Sequence, residues 1–242
     1  MINQSPRPAP LWLENNDLAE RSRGAAPSVA WGWLQRALRS GEAAIKLEKA
    51  GYASEAAPLL RSSLEHAIRL VWANSVGDRF IEVAMLSKQD TSDKLIKAQK
   101  NGWKFDPDIV EKLESYINGV SDESKKLGTL TRLKHAVEGT AEDTGSLYMA
   151  WLAYTALSHP TFETANPYIH MRDDGHHMAL LSTAKPVEES TCAASGIFAL
   201  IAAVHGYSRL TDLDYFFTPQ IEAIMRRHAK YFEGSSTLQE QD

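Results

Sequence analysis

The chain has 242 residues, with 26 Lys or Arg against 31 Asp or Glu and a formal net charge of −5. Hydrophobic residues make up 43% and charged residues 24%, the balance of a folded domain, which excludes a disordered or low-complexity body. The single cysteine, Cys192, excludes an intramolecular disulfide, a cysteine zinc finger and a cysteine-ligated iron–sulfur cluster, and the acidic balance argues against a generally basic nucleic-acid coat.

Along the chain the signals are overwhelmingly helical. The polar, proline-rich start (MINQSPRPAP) lacks a secretory apolar stretch, so a cytoplasmic location is the expectation. Residues 1–26 read as an N-terminal arm with a short helix. Pro27 and Ser28 open a helix to about Ala50, with Ala30, Leu34, Ala37, Leu38, Gly41 and Ile45 on its apolar stripe and Gly51 as the stop. Ser54 reads as the N-cap of a second helix to Val76, with Pro58 near its first turn. Two shorter helices follow near 78–89 and 92–101, the second capped by Ser92. Asp106-Pro107 is an N-cap and first-turn pair for a helix through Asn118. Another helix is predicted over Asp122–Val137, and the segment 142–159 is apolar nearly all round, the pattern of a buried helix. Tyr168–Arg172 and His176–Leu181 flank Asp173-Asp174-Gly175, the pattern of a small hairpin within 168–181. Helical periodicity resumes over Glu188–Leu210, where Cys192–Val204 is the longest apolar run and is too short to span a bilayer. A last helix opens at Thr218-Pro219 and ends before Gly234. The reading is an all-α helical bundle, one domain over 27–233, with a polar, disordered tail at 234–242.

Two stretches carry candidate chemistry. In the second helix Leu60, Leu64, Ala67, Ile68 and Val71 form an apolar arc, and Arg61, Glu65, Arg69 and Trp72 line its edge. Arg61–Glu65 and Glu65–Arg69 are spaced i,i+4, which makes a ladder of ion pairs one reading of the strip. His66 lies about 140° around the helix from Arg61, so a joint role needs a groove or a second subunit where the two converge. The later stretch runs from Tyr148 to Pro160. Leu147, Trp151, Tyr154 and Ser158 share a face, and Pro160 stops the helix and biases His159 out of the α region. A histidine at a helix C-terminus is favoured in its protonated form by the macrodipole. Buried Tyr, Ser and His side chains need partners, and Arg61 and Glu65 are the candidates.

Arg61-x4-His66, followed by Tyr154-x3-Ser158-His159-Pro160, resembles the HEPN superfamily, and more narrowly a bacterial branch marked by an R-x3-E helix and a Y-x3-S-H-P helix end. The resemblance spans roughly residues 28–170. It implies a helical bundle, often a homodimer, whose catalytic members cleave RNA without a metal. His66 would then be the general acid/base and Arg61 would hold the scissile phosphate, with Glu65, Tyr154, Ser158 and His159 beside them. Attack by a ribose 2′-hydroxyl would leave a 2′,3′-cyclic phosphate. The setting implied is toxin–antitoxin or phage defence, with RNA and an antitoxin or defence protein as partners, and without a cofactor, a metal or a membrane. Catalytic members more often carry Asn, Asp or His where this chain has Ser62.

The alternative from another class is a non-catalytic interaction module, in which the same polar residues form a buried network pinning two helices in register. A third reading is an enzyme acting on a small molecule in a bundle pocket lined by Trp72, Trp151 and Tyr154, although the residues suggest no reaction. His170, His176 and His177, with Asp173 and Asp174, have metal-ligand chemistry but no second ligand group elsewhere. Lys125, Lys126, Arg132 and Lys134, and separately Arg226, Arg227 and Lys230, form basic patches that read as solvated helix faces or as a polyanion surface. No phosphate-binding glycine loop, nucleophile elbow or H-E-x-x-H sequence is present.

Overall fold

The helix Ala57–Val76 is the axis on which the other elements are hung. Leu60, Ser63, Leu64, Ala67, Ile68, Leu70, Val71, Trp72 and Ala73 are all buried, so most of its circumference is enclosed and the strip of Arg61, Glu65 and Arg69 is left part-exposed. The computed structural model describes residues 18–118, 126–140, 142, 144–172, 177–185 and 191–236. In chain order its helices are α1 (Leu18–Lys49), α2 (Ala57–Val76), α3 (Phe80–Lys100), α4 (Pro107–Asn118), α5 (Leu133–Glu138), α6 (Gly145–Ala156), α7 (Phe162–Ala165), α8 (Thr191–Leu210) and α9 (Asp214–Ser236). The architecture is all-α, as its periodicities predict. Its one sheet among the described residues is the expected hairpin, β1 (Ile169–Met171) against β2 (Met178–Leu180), antiparallel, with His170 opposite Ala179.

The core is the three-helix contact of α1, α2 and α8, built on small residues. Ala30, Ala37 and Ala44 of α1 and Ala199 and Ala203 of α8 have no exposed surface, and this lets the helix backbones approach closely. Gly206 is the extreme: a Cβ there would lie 2.7 Å from backbone atoms of Leu70 and Val71. Buried polar groups tie the same seams. Ser63 Oγ donates to the Ala37 carbonyl at 3.0 Å, and Asn74 Nδ2 donates to the Gly206 carbonyl at 3.1 Å. Gly51 ends α1 with φ +87, a conformation glycine adopts without penalty.

Several boundaries differ from the sequence expectation. Leu18–Ala26 belongs to α1 rather than to a separate arm, with Pro27 inside the helix, because this Ala-, Leu-, Glu- and Arg-containing run has enough propensity to extend past the proline. Ser54 sits in a short 3-10 turn, Ser54–Ala56, and α2 begins after it with Pro58 in its first turn. The expected break at Ser92 is absent: Ser92 is buried mid-helix, and its hydroxyl donates to the Lys88 carbonyl at 3.0 Å. Asp106 caps α4 as predicted, its Oδ1 accepting the Asp108 N–H at 2.9 Å. Of the helix expected over 122–137, only Leu133–Glu138 forms, preceded by the 3-10 turn Gly128–Thr131; residues 119–125 lie outside the described residues. The last helix starts at Asp214, a turn before Pro219, and reaches Ser236, into the expected tail. The apolar segment 142–159 forms α6 but is not enclosed: Met149 is 65% and Leu152 40% exposed. None of the helices, searched over the described residues, is long and apolar enough to cross a membrane.

Candidate functional site

The six candidate residues fall into three groups rather than one. The first is a polar seam between α2 and α6. Arg61 Nε donates to Thr155 Oγ1 at 3.1 Å, its guanidinium lies 3.6 Å from Glu65 Oε2, and it rests over the Trp151 ring at 5.5 Å. Trp151 Nε1 donates to the same Glu65 oxygen at 3.3 Å, and Tyr148 stacks on Trp151 with ring centroids 5.6 Å apart. The i,i+4 pair predicted from sequence is present, and both side chains remain about a third exposed (33% and 36%), so the ion pair itself contributes little. The cation–π contact and the hydrogen bonds make the seam specific.

The second group surrounds His66. Its Nδ1 is 2.7 Å from the Ser62 carbonyl, so Nδ1 carries the proton and donates, leaving Nε2 as the acceptor. Burial pushes the imidazole below its ordinary titration range, against the opposing pull of the Ser62 bond and of Glu65; Arg36 and Arg69 lower it further. The neutral ring lines a cavity of about 220 Å³ with Trp33, Glu65, Arg69, Ser87 and Thr131. That cavity shares Glu65, Ser87 and Thr131 with a wider cleft of about 910 Å³. The cleft's charges are mixed and lean acidic, with Glu65, Asp90 and Asp93 against Lys94 and Arg132, and Lys94 is already paired with Asp90 at 2.6 Å. Arg69 builds one wall. Its two terminal nitrogens donate to the Leu130 and Thr131 carbonyls at 2.7 and 2.5 Å, and its guanidinium lies 5.3 Å over Trp72. The guanidinium fork, a planar double donor, thus fastens the 128–131 turn to α2.

The third group is the end of α6. Tyr154 is buried, with its hydroxyl 3.2 Å from Ser195 Oγ on α8. Ser158 Oγ donates back to the Tyr154 carbonyl at 2.5 Å. His159 is exposed, and its carbonyl accepts from Thr164 Oγ1 at 2.9 Å. Thr161 then starts α7 with a reciprocal cap to Thr164. Ser158-His159-Pro160 is therefore a helix stop followed at once by a restart.

Arg61 and His66 are not brought together. Arg61 does not line the His66 cavity and is not among the charges that shift its titration. Glu65 alone touches both surroundings. Nor do Tyr154, Ser158 and His159 receive Arg61 and Glu65 as partners; Trp151, on the expected face, and Thr155, one residue beyond Tyr154, do. Sequence reasoning missed Thr155 as an Arg61 ligand, and it placed Arg69 in the ion-pair ladder rather than on carbonyls 61 and 62 positions away. Trp72, expected in a small-molecule pocket, is fully buried beneath the Arg69 guanidinium. No group of three His, Cys, Asp or Glu residues among those described is placed to hold a metal. His170 and His177 are exposed, and Asp173, Asp174 and His176 lie outside the described residues.

These features define an all-helical bundle with a polar seam between α2 and α6 and a histidine-lined cleft beside it. Residues 28–177, from α1 past β1, match a family described as "Family of unknown function (DUF5677)", and the chain belongs to that family. The matched span holds all six candidate residues, while α8 and α9 lie beyond it. No curated protein and no solved structure matches the chain.

Proposed function

We propose that this chain is a non-catalytic helical interaction module in which the R-x3-E and Y-x3-S-H-P motifs are architecture. The observation that carries the reading is the commitment of Arg61 to Thr155, Glu65 and Trp151, away from His66. An arginine that holds a scissile phosphate must present its donor edge to the ligand. The partner is a second copy of the chain, meeting it on the outward face of α6. That helix carries no charged residue, and its exposed Met149 and Leu152 leave apolar side chains in water. Light scattering on the purified chain tests this: a dimer that Leu152→Glu converts to a folded monomer supports it, and a monomeric wild type refutes it.

A second reading follows from His66 and from the resemblance to the HEPN superfamily. A neutral imidazole whose Nδ1–H is held by a backbone carbonyl presents Nε2 as a base. It would take the proton of a ribose 2′-hydroxyl as that oxygen attacks phosphorus and the 5′-oxygen leaves, giving a 2′,3′-cyclic phosphate. This is the metal-independent endoribonuclease of a toxin or phage-defence system, with an antitoxin or defence protein as partner. Incubating a labelled RNA pool with the protein in EDTA decides between the readings. Cleavage that leaves cyclic ends and is abolished by His66→Ala establishes the ribonuclease; intact RNA with folded wild type leaves the interaction module.

A further inference from the structure

The stop at Ser158-His159-Pro160 turns the chain back across the start of α2 and borders a third cavity, apart from His66. Its volume is about 370 Å³, within the roughly 300–1,000 Å³ of small-molecule sites. Ala57 and Pro58 of α2, Leu157 at the end of α6, and Pro167 and Tyr168 of the returning turn form its walls. Tyr154 and Cys192, 8% and 4% exposed, complete the lining. The walls are apolar and aromatic, but two carboxylates, Glu55 and Glu163, also line the space, and no Lys, Arg or His does among the described residues.

The Tyr168 hydroxyl donates to Glu55, and that bond pushes the phenol above its usual range. The Cys192 thiol is pushed up first by burial and then by Glu48, so it stays a neutral thiol in the wall. An anionic ligand would meet two carboxylates, Glu55 bonded by Tyr168 and Glu163 by Thr161, and no cationic side chain among the described lining. No group of three His, Cys, Asp or Glu side chains among the described residues is placed to hold a metal ion. What fits is an apolar body with one positive end.

We propose that this cavity binds a small organic cation, an alkyl- or arylammonium, with its apolar body against Pro58, Tyr154 and Leu157 and its ammonium head on the carboxylates of Glu55 and Glu163. The ammonium offers three N–H donors, which suits two carboxylates with the Tyr168 ring beside them. The Y-x3-S-H-P motif then has a purpose beyond ending a helix: Tyr154 lines the site, and the Ser-His-Pro turn swings Glu163 and Tyr168 into place.

The test is a ¹H–¹⁵N NMR titration of the full chain with 2-phenylethylammonium and hexylammonium, using 3-phenylpropanoate as the charge-reversed control. The expected result is saturable binding of the ammonium ions, with shifts centred on Ala53–Pro58, Tyr154–Leu157 and Cys192, and no binding of the carboxylate. Glu163→Gln weakens binding about tenfold, and Tyr168→Phe, which keeps both carboxylates, preserves it. The proposal falls if neither ammonium saturates below about 10 mM, which is already weaker than a millimolar site. It also falls if 3-phenylpropanoate binds as tightly, or if Glu55→Gln and Glu163→Gln both leave the affinity unchanged.

Discussion

Placing an alanine at Gly206 or at Gly196, on the same helix α8, should change stability in opposite directions. At Gly206 the added Cβ would stand 2.7 Å from the Leu70 carbonyl carbon and the Val71 nitrogen, and 3.1 Å from Leu70 Cβ. Non-bonded carbon contacts settle near 3.5–4.0 Å, so α8 must back away from α2 by about 1 Å. The obstacle is helix backbone, which cannot swing aside as a flexible side chain would. The shift loosens Ala199 and Ala203 against α2 and strains the Asn74 bond to the Gly206 carbonyl. Overpacking costs about 1–3 kcal/mol and a weakened hydrogen bond about 1 kcal/mol, against about 1 kcal/mol returned by replacing a helical glycine. The expected net loss is about 2 kcal/mol. At Gly196 the nearest atoms would be Leu60 Cδ2 at 3.5 Å and Ile45 side-chain atoms at 3.6 Å, ordinary contact distances. There the propensity gain survives, and Gly196→Ala should be about 0.5–1 kcal/mol more stable. Urea unfolding followed by circular dichroism reads both. Equal stabilities, or a Gly206→Ala variant at least as stable as wild type, would refute the close approach of α2 and α8.

Three further expectations concern the seam and the cleft. Arg61→Met keeps the aliphatic stem but removes the Thr155 bond, the loose Glu65 pair and the cation–π contact, and should cost about 1–2 kcal/mol; a double-mutant cycle with Trp151→Phe that shows no coupling would remove the seam. Arg69→Lys leaves one of the Leu130 and Thr131 carbonyls without its donor, so stability should drop by about 2 kcal/mol, and amide exchange in 128–132 should accelerate selectively. His66 titrates below its ordinary value of 6.5 in the folded state, so the unfolded chain takes up its proton first as pH falls. The stabilisation from a neutral His66 is present above 6.5 and is lost as pH falls through the folded value. Unfolding free energies of wild type and His66→Gln, compared between about pH 7.5 and 5, should show the steeper acid loss in wild type, and the reverse order would overturn the assignment.

Much of the fold was legible in local pattern. The apolar stripe of α1, the Gly51 stop, the Asp106 cap and the hairpin each depend on residues a few positions apart. Prolines misled at both ends of the bundle, since Pro27 and Pro219 are tolerated inside helices whose flanking residues favour helix. Ser92 misled for a related reason: its hydroxyl found the carbonyl four residues back instead of capping a new turn. At the site, the Arg61–Glu65 spacing announced a pair that exists. The partners contributed by α6 depend on the rotation of that helix about its own axis, and a 12-residue apolar segment with no strongly preferred face does not encode it. The destination of Arg69, backbone carbonyls in a 3-10 turn, has no side-chain signature at all.

Glu65 is where the two functional readings meet, and exchanging its charge separates them. Its carboxylate accepts from Trp151, faces Arg61 and supplies the negative charge near His66 and Arg69. Glu65→Gln keeps an oxygen to accept the Trp151 N–H and loses only a partly exposed ion pair, so an interaction module should lose under about 1 kcal/mol and keep its oligomeric state. For a ribonuclease the same change matters more. Glu65 raises the titration of His66, so without it the imidazolium formed during proton abstraction loses its counter-charge and the ring titrates lower still. The acid limb of the pH–rate profile should then move to lower pH while the rate at its plateau falls. An unmoved acid limb in an active protein would show that Glu65 does not support the base, and would return Glu65 to the seam with Arg61 and Trp151.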